Sequence, residues 1–432
     1  MASSNIGRLW ADLIVEELVR CGVDFFCLAP GSRSTPLTTA VAAHPGARHV
    51  MHFDERGTAF CALGYARATG RPAAWITTSG TAVANGLPAV VEAATDGVPL
   101  LLLTADRPPE LRETGANQTI DQVKLFGSYV RWQFDLPVPA PEVDPAVLLT
   151  TVDQAGYRAR RTPGGPVHLN CMFREPLVPD DDGSDDDRGG GAYLDALAPW
   201  RARPHAYTQY AQPRSIPDDG AVERLWRQLR GVARGLVVAG RLASPAEADA
   251  VRWLAETLGW PLLPDVGSHL RLGGGRCDVL APYYDLMLAS EAFRSAHPPE
   301  AVLHVGGRPT SKRLAQYLDA ARPDPYVVVR DDPFRFDPAH RVTCRIEADV
   351  VAFCETLVRK VQAAPAEPPG AWLAGWQAGT ARTAARLDAC FAGRDAIDEP
   401  GVARLVSRHL PEGHGLFVAS SMPVRDLDAF AV

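Results

Sequence analysis

Short apolar runs alternate with amphipathic stretches through the first 171 residues, and this alternation constrains the fold more than any other feature of the chain. Leu9, Leu13, Ile14, Leu18 and Val19 recur at helical spacing within residues 7–22. The apolar run Val23–Leu28 follows and closes in the turn Ala29-Pro30-Gly31-Ser32. Next come RHVMHF (48–53), an Ala- and Gly-rich helix from Glu55, AAWITTS (73–79), a helix from Thr81, PLLLLTA (99–105) and GPVHLNC (165–171). Unbroken apolar strands separated by helices require a sheet buried on both faces, so an α/β fold with parallel strands is expected.

Residues 178–191, VPDDDGSDDDRGGG, interrupt the pattern with six aspartates and four glycines. Such a segment has too little apolar surface to order itself, and it lacks the ligand spacing of a calcium loop, so it reads as a linker. A second α/β unit begins near residue 220, with strands expected at GLVVAG (235–240), WPLLPDV (260–266), AVLHVG (301–306) and YVVVR (326–330), and a helix from Ser244 to Leu258. QAAPAEPPGA (362–371) is a Pro-rich second linker. A third unit starts with a helix at 372–392 and a strand GLFVAS at 415–420. The expected organisation is therefore a first domain over 1–177, a linker over 178–215, a central domain over 216–361, a linker over 362–371, and the start of a third domain over 372–432.

Composition narrows the function. The net charge of −7 speaks against nucleic-acid or anionic-membrane partners. No apolar run approaches the ~20 residues that cross a bilayer, and the first residues lack a signal-peptide layout, which leads to a cytoplasmic expectation. The eight cysteines form no C-x-x-C pair and no zinc-like spacing with histidine, so a reduced compartment and no structural metal are expected.

Four polar clusters sit where expected strands give way to helices, the edge of a parallel sheet at which ligands bind. They are Gly31-Ser32-Arg33-Ser34, Asp54-Glu55-Arg56-Gly57, Ser79-Gly80-Thr81 with Asn85, and Thr104-Ala105-Asp106-Arg107 followed by Gly115-Ala116-Asn117-Gln118. Local structure also accounts for parts of them: Ser34 or Thr35 as a helix N-cap, and Asp54 or Glu55 as a carboxylate in a first helical turn. Arginines beside glycine turns in an acidic protein nevertheless point to a small anion, because the guanidinium fork matches a carboxylate. There is no P-loop, H-E-x-x-H, G-x-S-x-G or strand-linked G-x-G-x-x-G.

Nine segments together carry a resemblance. APGSRSTPL (29–37), HFDERGTAFCALGYARATGRP (52–72), TTSGTAVANGLPAVVEA (77–93), LLTADRPPELR (102–112) and TGANQTIDQVKLFG (114–127) are followed by VHLNCMFREPL (167–177), YYDLML (283–288), PTSKRL (309–314) and FVASSMPVRDLD (417–428). In this order they resemble the 2-succinyl-5-enolpyruvyl-6-hydroxy-3-cyclohexene-1-carboxylate synthase family of menaquinone biosynthesis. The resemblance implies thiamin diphosphate with Mg²⁺ or Mn²⁺, decarboxylation of 2-oxoglutarate, and addition of the resulting four-carbon unit to isochorismate. It also implies a homodimer or homotetramer with sites built from two subunits.

By the same resemblance Glu55 is the glutamate that bonds the aminopyrimidine, with Gly31 and Ser79 beside the cofactor. Ser32, Arg33, Arg107, Asn117, Gln118, Lys312 and Arg313 match positions around isochorismate, and Ser421 and Arg425 match those that receive the distal carboxylate of the 2-oxoglutarate unit. The family's metal motif, a Gly-Asp followed some 25 residues on by Asn, has no counterpart: the chain contains no Gly-Asp dipeptide, and its last asparagine is Asn170. No metal ligand is therefore assigned. The chain reads as C-terminally short by on the order of 100–150 residues and is expected to be inactive alone. Another thiamin-diphosphate 2-oxoacid decarboxylase or carboligase, or a non-catalytic scaffold, stands as the alternative.

Overall fold

Every strand of the first half of the chain pairs in parallel. In the computed structural model the described residues are 6–178, 190–272, 277–364, 370–393, 396–411 and 413–432. The chain divides into two units, Met1–Pro213 and Arg214–Val432. The first unit holds β1 (Phe25–Leu28), β2 (Arg48–Met51), β3 (Ala73–Thr77), β4 (Leu100–Asp106), β5 (Trp132–Asp135) and β6 (Pro166–Met172), in the spatial order β2-β1-β3-β4-β6-β5. All residues of β3, β4 and β6 are buried, which is why they read as unbroken apolar runs. Edge strand β5, WQFD, escaped the sequence reading because a half-covered edge needs no such run.

Side chains alternate between the two faces of the sheet. Leu101 and Leu103 meet Trp10, Ile14 and Leu18 of the helix Ile6–Arg20 and Leu148 and Val152 of the helix Pro145–Arg160. Leu100 and Leu102 face Ala59, Leu63 and Ala66 of the helix Glu55–Thr69 and Val90 and Ala93 of the helix Leu87–Asp96. The strand order reverses between β1 and β3, so the loops leaving those strands open a crevice at their carboxyl ends.

Of the linker expected over 178–215, residues 179–189 lie outside the described residues. Beyond it the chain forms helices Gly190–Asp195 and Ala198–Arg201, and Trp200 packs into the first core. Two buried carboxylates secure the segment from Trp200 to Thr208. Glu17 accepts from Trp200 Nε1 (2.7 Å) and from the Tyr207 amide, while Asp153 accepts from the Thr208 amide (2.6 Å) and from Cys21 Sγ (3.2 Å). Burial first, and then the hydrogen bond with Asp153, push the Glu17 carboxyl up to about 8. The folded state therefore keeps a proton that the unfolded chain releases above the ordinary glutamate value. The stability contributed by that proton is complete at acidic pH and lost as pH rises towards about 8. The melting temperature of the first unit should fall by several degrees between pH 6 and pH 9, and Glu17→Gln should remove most of that slope in thermal melts.

The second unit holds β7 (Gly235–Ala239), β8 (Leu262–Pro264), β9 (Ala301–Val305), β10 (Tyr326–Arg330) and β11 (Cys344–Glu347), all parallel, in the order β11-β10-β9-β7-β8. The helix Gly370–Phe391 places Trp372 and Trp376 in the same core cluster as Leu236, Val238 and Tyr317, and Trp372 Nε1 donates to Gly235 O (2.8 Å). The strand expected at 415–420 does not form. A parallel strand needs a neighbour's backbone, and none pairs with this segment among the described residues; Phe417 stays 94% exposed. The helix Met422–Phe430, next in the chain, is fixed instead by Asp428, which accepts from Val266 N (2.8 Å) and Tyr284 OH (3.1 Å). Among the described residues no helix is long and apolar enough to cross a membrane.

Candidate functional site

The crevice of the first unit is built where β1, β3 and β4 end. After β1 the chain makes a tight turn over Ser32–Ser34 before the helix Thr35–Ala43. Gly31 is required there by space: a Cβ would lie 2.4 Å from Thr78 Cβ on the loop leaving β3. Ser34 occupies the N-cap position, but its hydroxyl donates to Gly31 O (2.9 Å) and accepts no amide. The capping explanation of this cluster therefore fails for the side chain, which tightens the turn.

Arg33 and Arg107 are both nearly buried. Arg33 Nη1 donates to Phe173 O (2.8 Å), Nη2 reaches Glu175 at 3.4 Å, and Nε is buried with no partner among the described residues. Arg107 leaves β4 and donates to Ser79 Oγ, to Gln118 O (3.3 Å) and to Gln118 Oε1 (3.5 Å). Burial, and next the charge of Arg33, lower the Arg107 pKa. Both side chains are thus shielded from solvent, and Arg107 feels the charge of Arg33. The carboxylate that pairs with Arg33, Glu175, has a side chain 76% exposed. An anion with two carboxylates would relieve both charges.

The loop after β4 supplies the rest. Gln118 adopts a left-handed backbone (φ 52°), and Gly80 (φ 83°) packs so closely that a Cβ would lie 3.1 Å from Gln118 O. Ser79 is buried, whereas Ser32, Asn117 and Gln118 are exposed at the mouth. The structure therefore brings Gly31, Arg33, Ser79, Arg107 and Gln118 together. Sequence reasoning missed the buried network beneath them. Asn170 donates to Asp106 Oδ2 (2.9 Å) and Asp135 Oδ1 (2.8 Å), and Arg112 pairs with the same two aspartates.

Glu55 opens the helix Glu55–Thr69, but the neighbouring Asp54 does the capping by accepting from Gly57 N (3.0 Å). Among the described residues the Glu55 carboxylate accepts from Asn85 Nδ2 (3.2 Å). The half-buried carboxylate thus keeps acceptor capacity for an N–H donor such as an aminopyrimidine, and the residues present fit that end of the expected cofactor. They do not fit its metal. Among the described residues the group with metal-ligand spacing is Glu17, Cys21 and Asp153, and the carboxylate oxygens of that set already hold amide, indole and thiol donors.

In the second unit Lys312 and Arg313 open the helix Lys312–Ala321, which Ser311 caps by accepting from Leu314 N (3.0 Å). Arg313 is paired with Asp285, whose other oxygen accepts from Ser311 Oγ (2.6 Å). Lys312, Arg313 and Arg425 line one cavity of about 1190 Å³, shared with Arg308 and Arg341. Ser421, at the start of the last helix, has φ 74° and is exposed but does not line that cavity.

Residues 9–125 match the family described as thiamine pyrophosphate enzyme, N-terminal TPP binding domain, and residues 191–418 match the middle domain of thiamine pyrophosphate enzymes. A protein of Rubrobacter xylanophilus named 2-succinyl-5-enolpyruvyl-6-hydroxy-3-cyclohexene-1-carboxylate synthase is 58% identical over 424 residues, which cover 98% of this chain and 71% of the relative. Relatives of the same name from Salinibacter ruber and Chlorobaculum parvum are 54% and 44% identical, over 99% and 100% of this chain and 71% of each relative.

Proposed function

We propose a reaction for this chain from the premise that it belongs to the 2-succinyl-5-enolpyruvyl-6-hydroxy-3-cyclohexene-1-carboxylate synthase family of thiamine pyrophosphate enzymes. It acts as a transferase of menaquinone biosynthesis that decarboxylates 2-oxoglutarate and joins the four-carbon remainder to isochorismate. The observation that carries the substrate choice is the pair of buried guanidinium groups, Arg33 and Arg107, with the exposed Glu175 as the carboxylate bonded to Arg33 among the described residues. A small uncharged second substrate would leave that charge unmatched.

Thiamin diphosphate, when bound, would supply the nucleophilic carbon and the electron sink that decarboxylation of a 2-oxo acid needs. Glu55 would share a proton with the ring nitrogen of the aminopyrimidine and so favour the tautomer that can take up the thiazolium proton. Gly31 and Ser79 border the cofactor. Arg33 and Arg107 bind the carboxylates of isochorismate, with Ser32, Asn117 and Gln118 at the crevice mouth and Lys312 and Arg313 contributing further cations. Ser421 and Arg425 receive the distal carboxylate of the 2-oxoglutarate unit. Mg²⁺ or Mn²⁺ is proposed to accompany the diphosphate, and no residue of this chain is assigned to hold it.

A homo-oligomer is also proposed. Phe53, Met51 and Phe60, exposed around the start of the Glu55 helix, support it as surface a second copy would cover. A cytoplasmic location is proposed with it, supported by eight unpaired cysteines. The test is product analysis of the holoenzyme with thiamin diphosphate and Mg²⁺. Isochorismate and 2-oxoglutarate should be consumed one for one, and pyruvate should not replace 2-oxoglutarate. Consumption of pyruvate at a similar rate, or decarboxylation of 2-oxoglutarate that leaves isochorismate untouched, would assign the chain to another carboligase.

A further inference from the structure

Gln122 lies four residues beyond Gln118 in the irregular segment after β4, and it is completely buried. Its side chain joins three strand ends. Oε1 accepts from Gly80 N (3.2 Å), just after β3. Nε2 donates to Ala105 O (2.9 Å) on β4 and to Asn170 Oδ1 (2.8 Å) on β6. Both amide hydrogens and one carbonyl lone pair are thereby used.

These bonds bear directly on the crevice. Ala105 is two residues before Arg107, so its carbonyl sets the point from which the Arg107 loop departs. Gly80 follows Ser79, whose hydroxyl accepts from Arg107. Gly80 is also pressed against the Gln118 backbone, which in turn accepts from Arg107. Gln122 touches none of the crevice groups assigned to substrate, yet its amide ties two of the loops from which they project, those of Ser79 and Arg107, to its own segment beyond Gln118. Asn170 cannot readily turn to suit another partner, because its Nδ2 already donates to Asp106 and Asp135.

We propose that Gln122 is a positioning residue for the dianionic substrate: its amide holds the Ser79–Gly80 turn, the Arg107 loop and the Gln118 segment in the one arrangement that presents Arg107 to a carboxylate. The inference rests on the reading of the Arg33–Arg107 crevice as the isochorismate site. A glutamate at this position keeps the acceptor for Gly80 but sets a carboxylate oxygen against two other oxygens. A methionine keeps the length and removes every hydrogen bond without adding charge, so loss of affinity there reports position and not repulsion of the dianion.

The experiment is equilibrium titration of isochorismate against Gln122→Glu, Gln122→Met and Arg107→Ala, well below their melting temperatures, with steady-state KM for both substrates measured on the holoenzymes. Arg107→Ala serves as the reference for the site. Both Gln122 variants should weaken isochorismate by about tenfold or more while the KM for 2-oxoglutarate stays within about twofold. Gln122→Glu should in addition recover part of its affinity as pH falls and the new carboxyl takes a proton, and Gln122→Met should show no such limb. Should one variant fail to fold, the substrate split in the other decides the matter. Unchanged isochorismate affinity in a folded Gln122 variant, with Arg107→Ala weakened, would overturn the positioning role alone, as would equal losses for both substrates. Unchanged affinity in Arg107→Ala would overturn the reading of the crevice and the inference with it.

Discussion

Replacing Glu55 by glutamine should lower turnover of the holoenzyme on the order of 10²–10⁴-fold while leaving the fold intact. The structure separates the two roles a carboxylate could play at this helix start. Asp54 provides the cap, and a glutamine retains an oxygen for Asn85 Nδ2, so little of the local structure depends on the Glu55 charge. Loss of the interaction with the helix dipole costs about 0.3–1 kcal/mol, too little to unfold a domain. What the amide cannot do is hold and return a proton. Turnover, measured beside a thermal melt, checks this: a folded Glu55→Gln enzyme that keeps most of its rate would remove Glu55 from the chemistry.

The second large effect is a division between substrates. Arg33→Ala and Arg107→Ala should each weaken isochorismate by about 1.5–3 kcal/mol, one to two decades, with little change for 2-oxoglutarate. Arg425→Ala should do the reverse. The variants should also differ in stability. Arg33 and Arg107 are nearly buried and bonded to Phe173 O and to Gln118 O, so truncation leaves unpaired acceptors. Arg425 is exposed at the wall of the second-unit cavity, so its loss should leave the melting temperature unchanged. KM values for both substrates in all three variants test the division, and equal losses for both substrates throughout would show that the two carboxylate sites are misplaced.

How much of this was legible in the chain depended on how far apart the cooperating residues lie. The buried strands β3, β4 and β6 announce themselves because burial on both faces demands apolar runs. Arg33 and Arg107 stand out because a charged residue leaving such a strand needs a reason. The edge strand β5 carried no signal, and the run at 415–420 misled because apolar composition cannot supply the neighbour that a parallel strand requires. Gln122 and Asn170 read as ordinary polar residues until the sheet order places the ends of β3, β4 and β6 side by side. The pairing of Arg313 with Asp285 was hidden for the same reason: 28 residues separate them, and neither motif names the other.

A crystal structure of the protein soaked with isochorismate should show the dianion seated on Arg33 and Arg107. A carboxylate of the ligand should lie within about 3 Å of guanidinium nitrogens of both arginines, with Glu175 displaced from Arg33. Isochorismate bound elsewhere, with the Arg33–Glu175 pair still closed, would rule out that seat.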